Sequence, residues 1–487
     1  MVKVIFLWML VPILGLMTGC AFLPRDAGIG EVATLVEERT GEPLYWPGVS
    51  LDEEVLALRV QELLEQPLSA VGATRLALLN NPSLHAQLED LGIARADLVR
   101  AGLLRNPVLS ATVLFPEGGG RTQLEFSLVQ EFLHVVQLPL KRRVATKNFE
   151  QVKLRTADAA LTLAAETREA FYQAQGSLWL REIHGLIEEV AEAAADVAER
   201  LHRAGNITDL ALAREMERYQ QARLAHMQAR TRQALDQEKL AVLLGVTQSE
   251  SLRIAPRLPA LPPAEIDEID LEERALAQRL DLAVMRLERE VRAEALRGTR
   301  FSAMQPDLGL GAEVERESDG TWLAGPKVRM NLPIFDAGGS AVAAQQGWWR
   351  QALRQEAALE AQIRSDVRQA WLALQQARAE VEHYRQILLP LHDQILEESQ
   401  LHYNAMQLGV FDLLEAKQRQ LEIGSRHVNA RRDYWLAHSR LTWVVGGLLP
   451  EPVSPEIDED LEGLFGTEEV PATEPEMVPD SHQEHDH

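Results

Sequence analysis

The chain has 487 residues, enough for two or three ordinary domains, with 46% apolar but only 5% aromatic residues. Seventy-three acidic residues against 49 basic ones leave a formal charge of −24, which argues against nucleic acid and anionic headgroups as general partners and favours cations. Its single cysteine, Cys20, excludes an internal disulfide.

In chain order, the first 24 residues hold one charged side chain, Lys3, and an apolar run from Val4 to Met17 that ends in Thr18-Gly19-Cys20. That is the n-region, h-region and small-residue cleavage site of a secretory signal. The alternative is an uncleaved membrane anchor, because no further charge appears before Arg25. Residues 1–19 are therefore set apart as the signal and 20–69 as the mature N-terminal segment.

From Leu140 to Ala255 there is no proline, and so long a stretch reads as helix. Within it Ile183, Ile187, Val190, Ala194, Val197, Leu201 and Ala204 keep a 4-3 spacing, the seam of a coiled coil. The same spacing returns at Ala370, Leu374, Ala377, Val381, Tyr384, Leu388, Leu391 and Ile395. The two seams superpose at an offset of 201, as do Leu243-Leu244-Gly245 and Val444-Val445-Gly446; Asn81-Pro82-Ser83-Leu84 and Arg279-Leu280-Asp281-Leu282 match at 198. The pattern predicts an internal duplication, with repeats at 70–255 and 265–449 joined by a proline-rich linker at 256–264. Each repeat is expected to hold two short helices, a β-hairpin and two very long helices. The hairpins fall at about 107–132 and 306–333, and the long helices at about 143–247 and 338–447. Pro390 lies inside a long helix and should kink or break it.

The strands alternate. Leu109, Ala111, Val113 and Phe115 share a face, and "QLEFSLVQEF" sets Leu124, Phe126 and Leu128 against Gln123, Glu125 and Ser127 across the glycine-rich turn "PEGGGR". In the second hairpin Leu308, Leu310, Ala312 and Val314 oppose Gly309, Gly311, Glu313 and Glu315; after Asp319-Gly320, Val328, Met330 and Leu332 oppose Lys327, Arg329 and Asn331. Strands of about 10 residues suit a tilted bilayer crossing. Four strands cannot close a barrel alone, so in a membrane they require further copies of the chain. The alternative is a surface hairpin pair on a soluble helical body. Residues 450–487 are proline-punctuated and acidic, and are expected to be disordered.

These features together resemble the TolC-like outer membrane factors. The resemblance spans about residues 70–449 and rests on "LALLNNPSL", "LAQRLDLAV", "LPIFDAGGSAVAAQQ" and "YNAMQLGVFDLLEAKQRQL" in order. It implies an α+β membrane protein: a long coiled-coil periplasmic barrel plus four strands per chain in a 12-stranded transmembrane β-barrel made by a homotrimer. It also implies a passive exit duct, coupled through a periplasmic adaptor to an inner-membrane efflux pump. Leu16-Met17-Thr18-Gly19-Cys20 resembles a lipobox, departing at Met17, and implies lipid attachment at Cys20 in the outer membrane. The family's acidic ring at the periplasmic aperture lands on Asp412 and Glu415, three apart on one helix face. Their first-repeat counterparts are Thr208 and Ala211 if Gly205 matches Gly409, or Ala211 and Arg214 at the offset of 201. The ordinary reading is a solvated helix face or cap.

No catalytic set stands out: HExxH, paired metal cysteines and a nucleophile elbow are all missing, so no enzyme activity and no cofactor are expected. His482, His485 and His487 in "SHQEHDH" could form a loose transition-metal site, which tilts the cargo toward heavy-metal cations; an ordinary polar tail is the alternative. Trp348 and Trp349 sit where an aromatic girdle would meet headgroups, or they pack between helices. The rival function is a periplasmic coiled-coil lipoprotein scaffold without channel activity.

Overall fold

The computed structural model describes residues 26–115, 122–131, 133–262, 270–303, 308–317, 319–330 and 334–449. The expected signal, Cys20, the "PEGGGR" segment, the end of the linker and the histidine-bearing tail lie outside them.

The chain opens with α1 (Ile29–Thr40) and α2 (Glu53–Glu65), two helices that the sequence reading of 20–69 did not anticipate. The expected pair of short helices follows as α3 (Ala70–Asn80) and α4 (Pro82–Ala101). Ser69 caps the first through the Gly72 N–H at 3.1 Å; Asn81 caps the second through Leu84 at 3.0 Å, with Pro82 in the first turn where no N–H is needed. Strands β1 (Val108–Leu114) and β2 (Gln123–Glu131) lead into α5 (Leu133–Arg203), 71 residues and about 107 Å long. It starts ten residues before the expected 143 and includes Pro139 in its second turn. After α6 (Asp209–Leu244) the chain repeats the plan: α7 (Leu271–Gln278), α8 (Leu280–Ala303), β3 (Leu308–Arg316), β4 (Trp322–Met330), then α9 (Gly339–His383), α10 (Leu389–Asn404) and α11 (Val410–Val445).

The long helices form one layer. Helix α5 packs on α6 and on α11, and α11 packs on α9 and α10, leaving α6 and α9–α10 on the flanks. This explains why α5 buries more than one seam. Besides Ile183, Ile187 and Ala194 it buries Ala191, Ala195 and Ala198, because a central helix needs an apolar stripe toward each neighbour.

The second seam departs from expectation. Ala370, Leu374, Ala377 and Val381 are buried, yet Leu391 and Ile395 are 47% and 41% exposed. Between them, Tyr384–Leu388 is a π-helical turn. Such a turn adds one residue to the helix and rotates everything after it. The inward positions become Leu389, His392, Leu396 and Ser399, one later than the 4-3 spacing predicts. Pro390 then sits in the first turn of α10, so the break expected at Pro390 is taken up by the π-turn.

The linker is a strap. Gln175 donates to the carbonyls of Ala255 (2.9 Å) and Arg257 (2.7 Å), Arg431 to Leu258 (2.9 Å), the Trp435 indole to Pro259 (3.0 Å) and Arg378 to Pro262 (3.0 Å). It thereby ties α5, α11 and α9 together over an aromatic core in which Tyr172 and Trp435 stack at 5.2 Å. The guanidiniums of Arg257 and Arg431 lie 5.0 and 5.5 Å from the Trp179 ring centroid.

Among the described residues no helix is long and apolar enough to cross a membrane.

Candidate functional site

The four strands form one antiparallel sheet in the order β1-β2-β3-β4. The register pairs Leu109 with Leu128, Ala111 with Phe126 and Val113 with Leu124; Phe126 with Val314 and Leu128 with Ala312; and Val314 with Ala324, Ala312 with Pro326 and Leu310 with Val328. Because side chains alternate along a strand, these pairs place all the apolar sets on one face of the sheet. The opposite face collects Ser110, Thr112, Glu125, Ser127, Glu313, Glu315, Lys327 and Arg329. There Lys327 lies 3.2 Å from Glu313 and 3.6 Å from Glu125. The apolar face is solvent-accessible in the single chain, with Leu109 at 70% and Val328 at 65%, whereas on the opposite face Ser127 and Val129 are buried. Within the chain β1 and β4 are edges, each with one row of backbone groups lacking a strand partner.

At the far end of the helical layer two tight turns join the helices. In the first, Gly205 adopts φ +75° and Thr208 caps α6 by accepting from Ala211 N–H at 3.2 Å. In the second, Met406 takes φ +57° and Gly409 is the cap residue of α11. The pairs Gly205/Met406 and Thr208/Gly409 are each 201 apart, and α6 and α11 are both 36 residues long. The turns are thus in register at 201, and the counterparts of Asp412 and Glu415 are Ala211 and Arg214.

Asp412 is exposed and its Oδ2 accepts from the Gly409 N–H at 3.1 Å, a capping-box contact at a cap position whose glycine has no side chain to offer. Glu415 is half-buried. Its carboxylate lies 2.5 Å from Arg419 and 3.8 Å from Arg218, which also binds Glu215 at 3.1 Å. The sequence reading missed both arginines. Arg419 was findable from the favourable i,i+4 spacing; Arg218 was not, since it belongs to the other helical hairpin.

Trp348 is exposed beside the Arg292 guanidinium at 5.8 Å, and Ile334 and Phe335, which precede α9 in the chain, are also exposed. Cys20, His482, His485 and His487 fall outside the described residues. Among the described residues no group of three or more His, Cys, Asp or Glu could hold a metal ion.

No family model and no curated protein sequence matches the chain. Solved structures do. The outer membrane channel CmeC of Campylobacter jejuni aligns at a TM-score of 0.67 and 15% identity, over 87% of this chain and 93% of the channel. A membrane protein from Pseudomonas aeruginosa gives 0.64 and 17% over 81% and 93%. The open-state outer membrane channel MtrE of Neisseria gonorrhoeae gives 0.59 and 16% over 80% and 89%. At such identities the likeness speaks for the fold, and it runs over nearly the whole length of those channels. This chain therefore has the fold of those outer membrane channels.

Proposed function

We propose that the protein is the outer-membrane exit duct of a tripartite efflux system, working as a homotrimer with a periplasmic adaptor and an inner-membrane pump and conducting its cargo passively. One observation carries the reading: a four-stranded sheet, apolar on one face, charged on the other and open at both edges, continues directly into an open-edged layer of helices about 107 Å long. Both layers end on the same repeats. The edges β1 and α6 belong to the first, and β4 and α9–α10 to the second. A neighbouring copy would close strand on strand and helix on helix in one rotation, as a cyclic assembly requires. Three copies make a 12-stranded barrel whose charged faces line the lumen. The flanks are suited to this, with Leu210, Leu224, Leu235 and Val242 exposed on α6 and Leu391, Ile395 and Leu401 exposed on α10.

We further read the chain as an internal duplication, supported by the two 36-residue helices and the common register of their turns. Lipid attachment at Cys20 is supported by reach. Gly28 packs against Phe149, about 24 Å along α5 from the helix start, while the eight residues from Gly28 back to Cys20 extend up to about 27 Å. The thiol can therefore come level with the base of the sheet. Asp412 and Glu415 are proposed to line the periplasmic aperture, with Arg218 and Arg419 tethering Glu415. The lumen carboxylates Glu125, Glu313 and Glu315 favour cationic cargo, and with His482, His485 and His487 this points toward metal cations.

The test is electrical. Purified protein in a planar bilayer should give discrete conductance steps and should run as a trimer in detergent. A chain that is monomeric and without conductance supports the scaffold reading instead.

A further inference from the structure

Across the four strands, the apolar face carries one charged side chain among the described residues: Arg316. It is the last residue of β3, paired with Leu124 on one side and with Trp322, the first residue of β4, on the other. The turn beyond it is closed by Glu317 N–H donating to the Thr321 carbonyl and Gly320 N–H to that of Glu317, both at 2.9 Å. The opposite end of the sheet runs into α5 and α9. Arg316 and Trp322 thus lie at the rim of the apolar band farthest from the helices.

The guanidinium sits 5.9 Å from the Trp322 ring centroid, and Trp322 is 54% exposed. The Arg316 Nε is buried and has no hydrogen-bond acceptor among the described residues, and no carboxylate among them lies within ion-pair distance. Lys327, on the charged face, has two such carboxylates. The nearest acids do not answer for it. Glu315 and Glu317 alternate to the other side of the strand, and Asp319 Oδ1 accepts from the Thr321 N–H at 2.7 Å within the turn.

A cation on a lipid-facing strand costs about 2–4 kcal/mol at the bilayer midplane and little at the interface, so position alone makes Arg316 tolerable. Position does not supply an acceptor. An indole belongs at the headgroup level, and a guanidinium beside an indole can still present its remaining N–H groups as a fork that matches two oxygens of a phosphate. The net charge of −24 does not forbid this contact. Screening confines each charge to about 8–10 Å, and the sheet's carboxylates face the other way.

We propose that Arg316 and Trp322 form a seat for the phosphate of an anionic lipid in the leaflet distal to the helices, one seat per chain. The proposal rests on the membrane reading of the sheet. It predicts a lipid held by a bidentate contact, not a diffuse electrostatic attraction.

The test compares full-length protein in vesicles of phosphatidylcholine and in phosphatidylcholine containing about one-tenth lipid A, with flotation to score insertion and native mass spectrometry to score lipid retained per chain. The wild type should insert in both vesicles and retain lipid A preferentially. Arg316→Gln should reduce that retention about tenfold without loss of insertion, Arg316→Lys should restore part of it, and Trp322→Leu should weaken it less than Arg316→Gln does. Inorganic phosphate at millimolar concentration should not displace the lipid; full displacement means the seat takes free phosphate and overturns the lipid assignment. Insertion with equal retention by wild type and Arg316→Gln overturns the proposal while leaving the duct intact. A chain that floats with neither vesicle overturns the membrane reading, and this inference with it.

Discussion

The two helical hairpins end in helices of the same length, 36 residues, and turn through the same backbone conformations, yet they are not equivalent. In the first hairpin α5 runs 71 residues without interruption and sits between two neighbours. In the second, α9 and α10 share a π-helical turn at Tyr384–Leu388 and lie on the flank of the layer. One inserted residue has turned Leu391 and Ile395 away from α11 and toward the outside. A central helix must keep its seams in register along its whole length, whereas a flanking helix is free to change the face it offers. The difference teaches that similar arms can differ in continuity: the first is a continuous spar, the second is re-phased below the strap, and under the proposed function that re-phased face is the one that meets another copy.

The largest test of that comparison removes the extra residue. Deleting Ile387 should restore α-helical phase, bring Leu391 and Ile395 back toward α11 and abolish the trimer in detergent, with far-ultraviolet helicity retained. An unchanged trimer by light scattering would show that the re-phased face is not an interface. The strap comes next, because it welds the two arms above the π-turn. Arg431, 1% exposed, donates to the Leu258 carbonyl and stacks near Trp179. Arg431→Met should cost about 2 kcal/mol through a lost charge-assisted hydrogen bond and an unanswered carbonyl. Denaturant unfolding of the detergent-solubilised protein measures it, and a variant as stable as wild type removes the strap from the account.

The tips differ in charge: Asp412 and Glu415 in the second arm stand opposite Ala211 and Arg214 in the first. Neutralising both as Asp412→Asn and Glu415→Gln should raise the concentration of divalent cation needed to block conductance from the periplasmic side by about tenfold. Unaltered block would return Asp412 to a capping role alone.

The smallest expected effect lies where α5 meets the start of α8. Burial, and next the Asp281 carboxylate, push Asp158 up to about 6, against a partial offset from Arg279. A carboxyl whose value is raised on folding loses stability as pH rises from its ordinary 3.8 toward 6. Asp158→Asn should therefore raise the melting midpoint at neutral pH by on the order of 2–4 °C, with the gain disappearing below the ordinary aspartate value. A gain that does not vary with pH would assign the effect to packing.

Much of this architecture was legible in the residues. The proline-free stretch marked α5 and α6, the glycine pair Gly245 and Gly446 marked matched helix ends, and two-residue alternation placed the central apolar positions of each strand on one face, while Val108, Leu114, Val129 and Leu323 fall on the other. These signals are local and periodic, so a one-dimensional reading finds them. Helices α1 and α2 went unseen because no long periodic run marks them; α1 packs on α5 and α2 on α3, contacts that only the fold displays. The π-turn was invisible because Tyr384, Leu388, Leu391 and Ile395 fit a 4-3 spacing; only packing against α11 shows that the helix abandons it. At the site, Asp412 and Glu415 were reachable through resemblance, but Arg218 was not, since the contact joins residues about 200 positions apart.

What the sequence determined by itself is the period of each segment: helix for the long proline-free runs, strand for the alternating tens, and a doubled plan at an offset of about 200. Those follow from backbone geometry and the placing of apolar side chains, which each stretch carries alone. What only the tertiary structure decided is which helix is central and which is flanking, where the seam slips, how the linker straps the layer, and that the Arg316 Nε has no acceptor among the described residues on a mostly apolar face. Each of these is a relation between distant segments, fixed by the burial and hydrogen-bond partners that folding brings together.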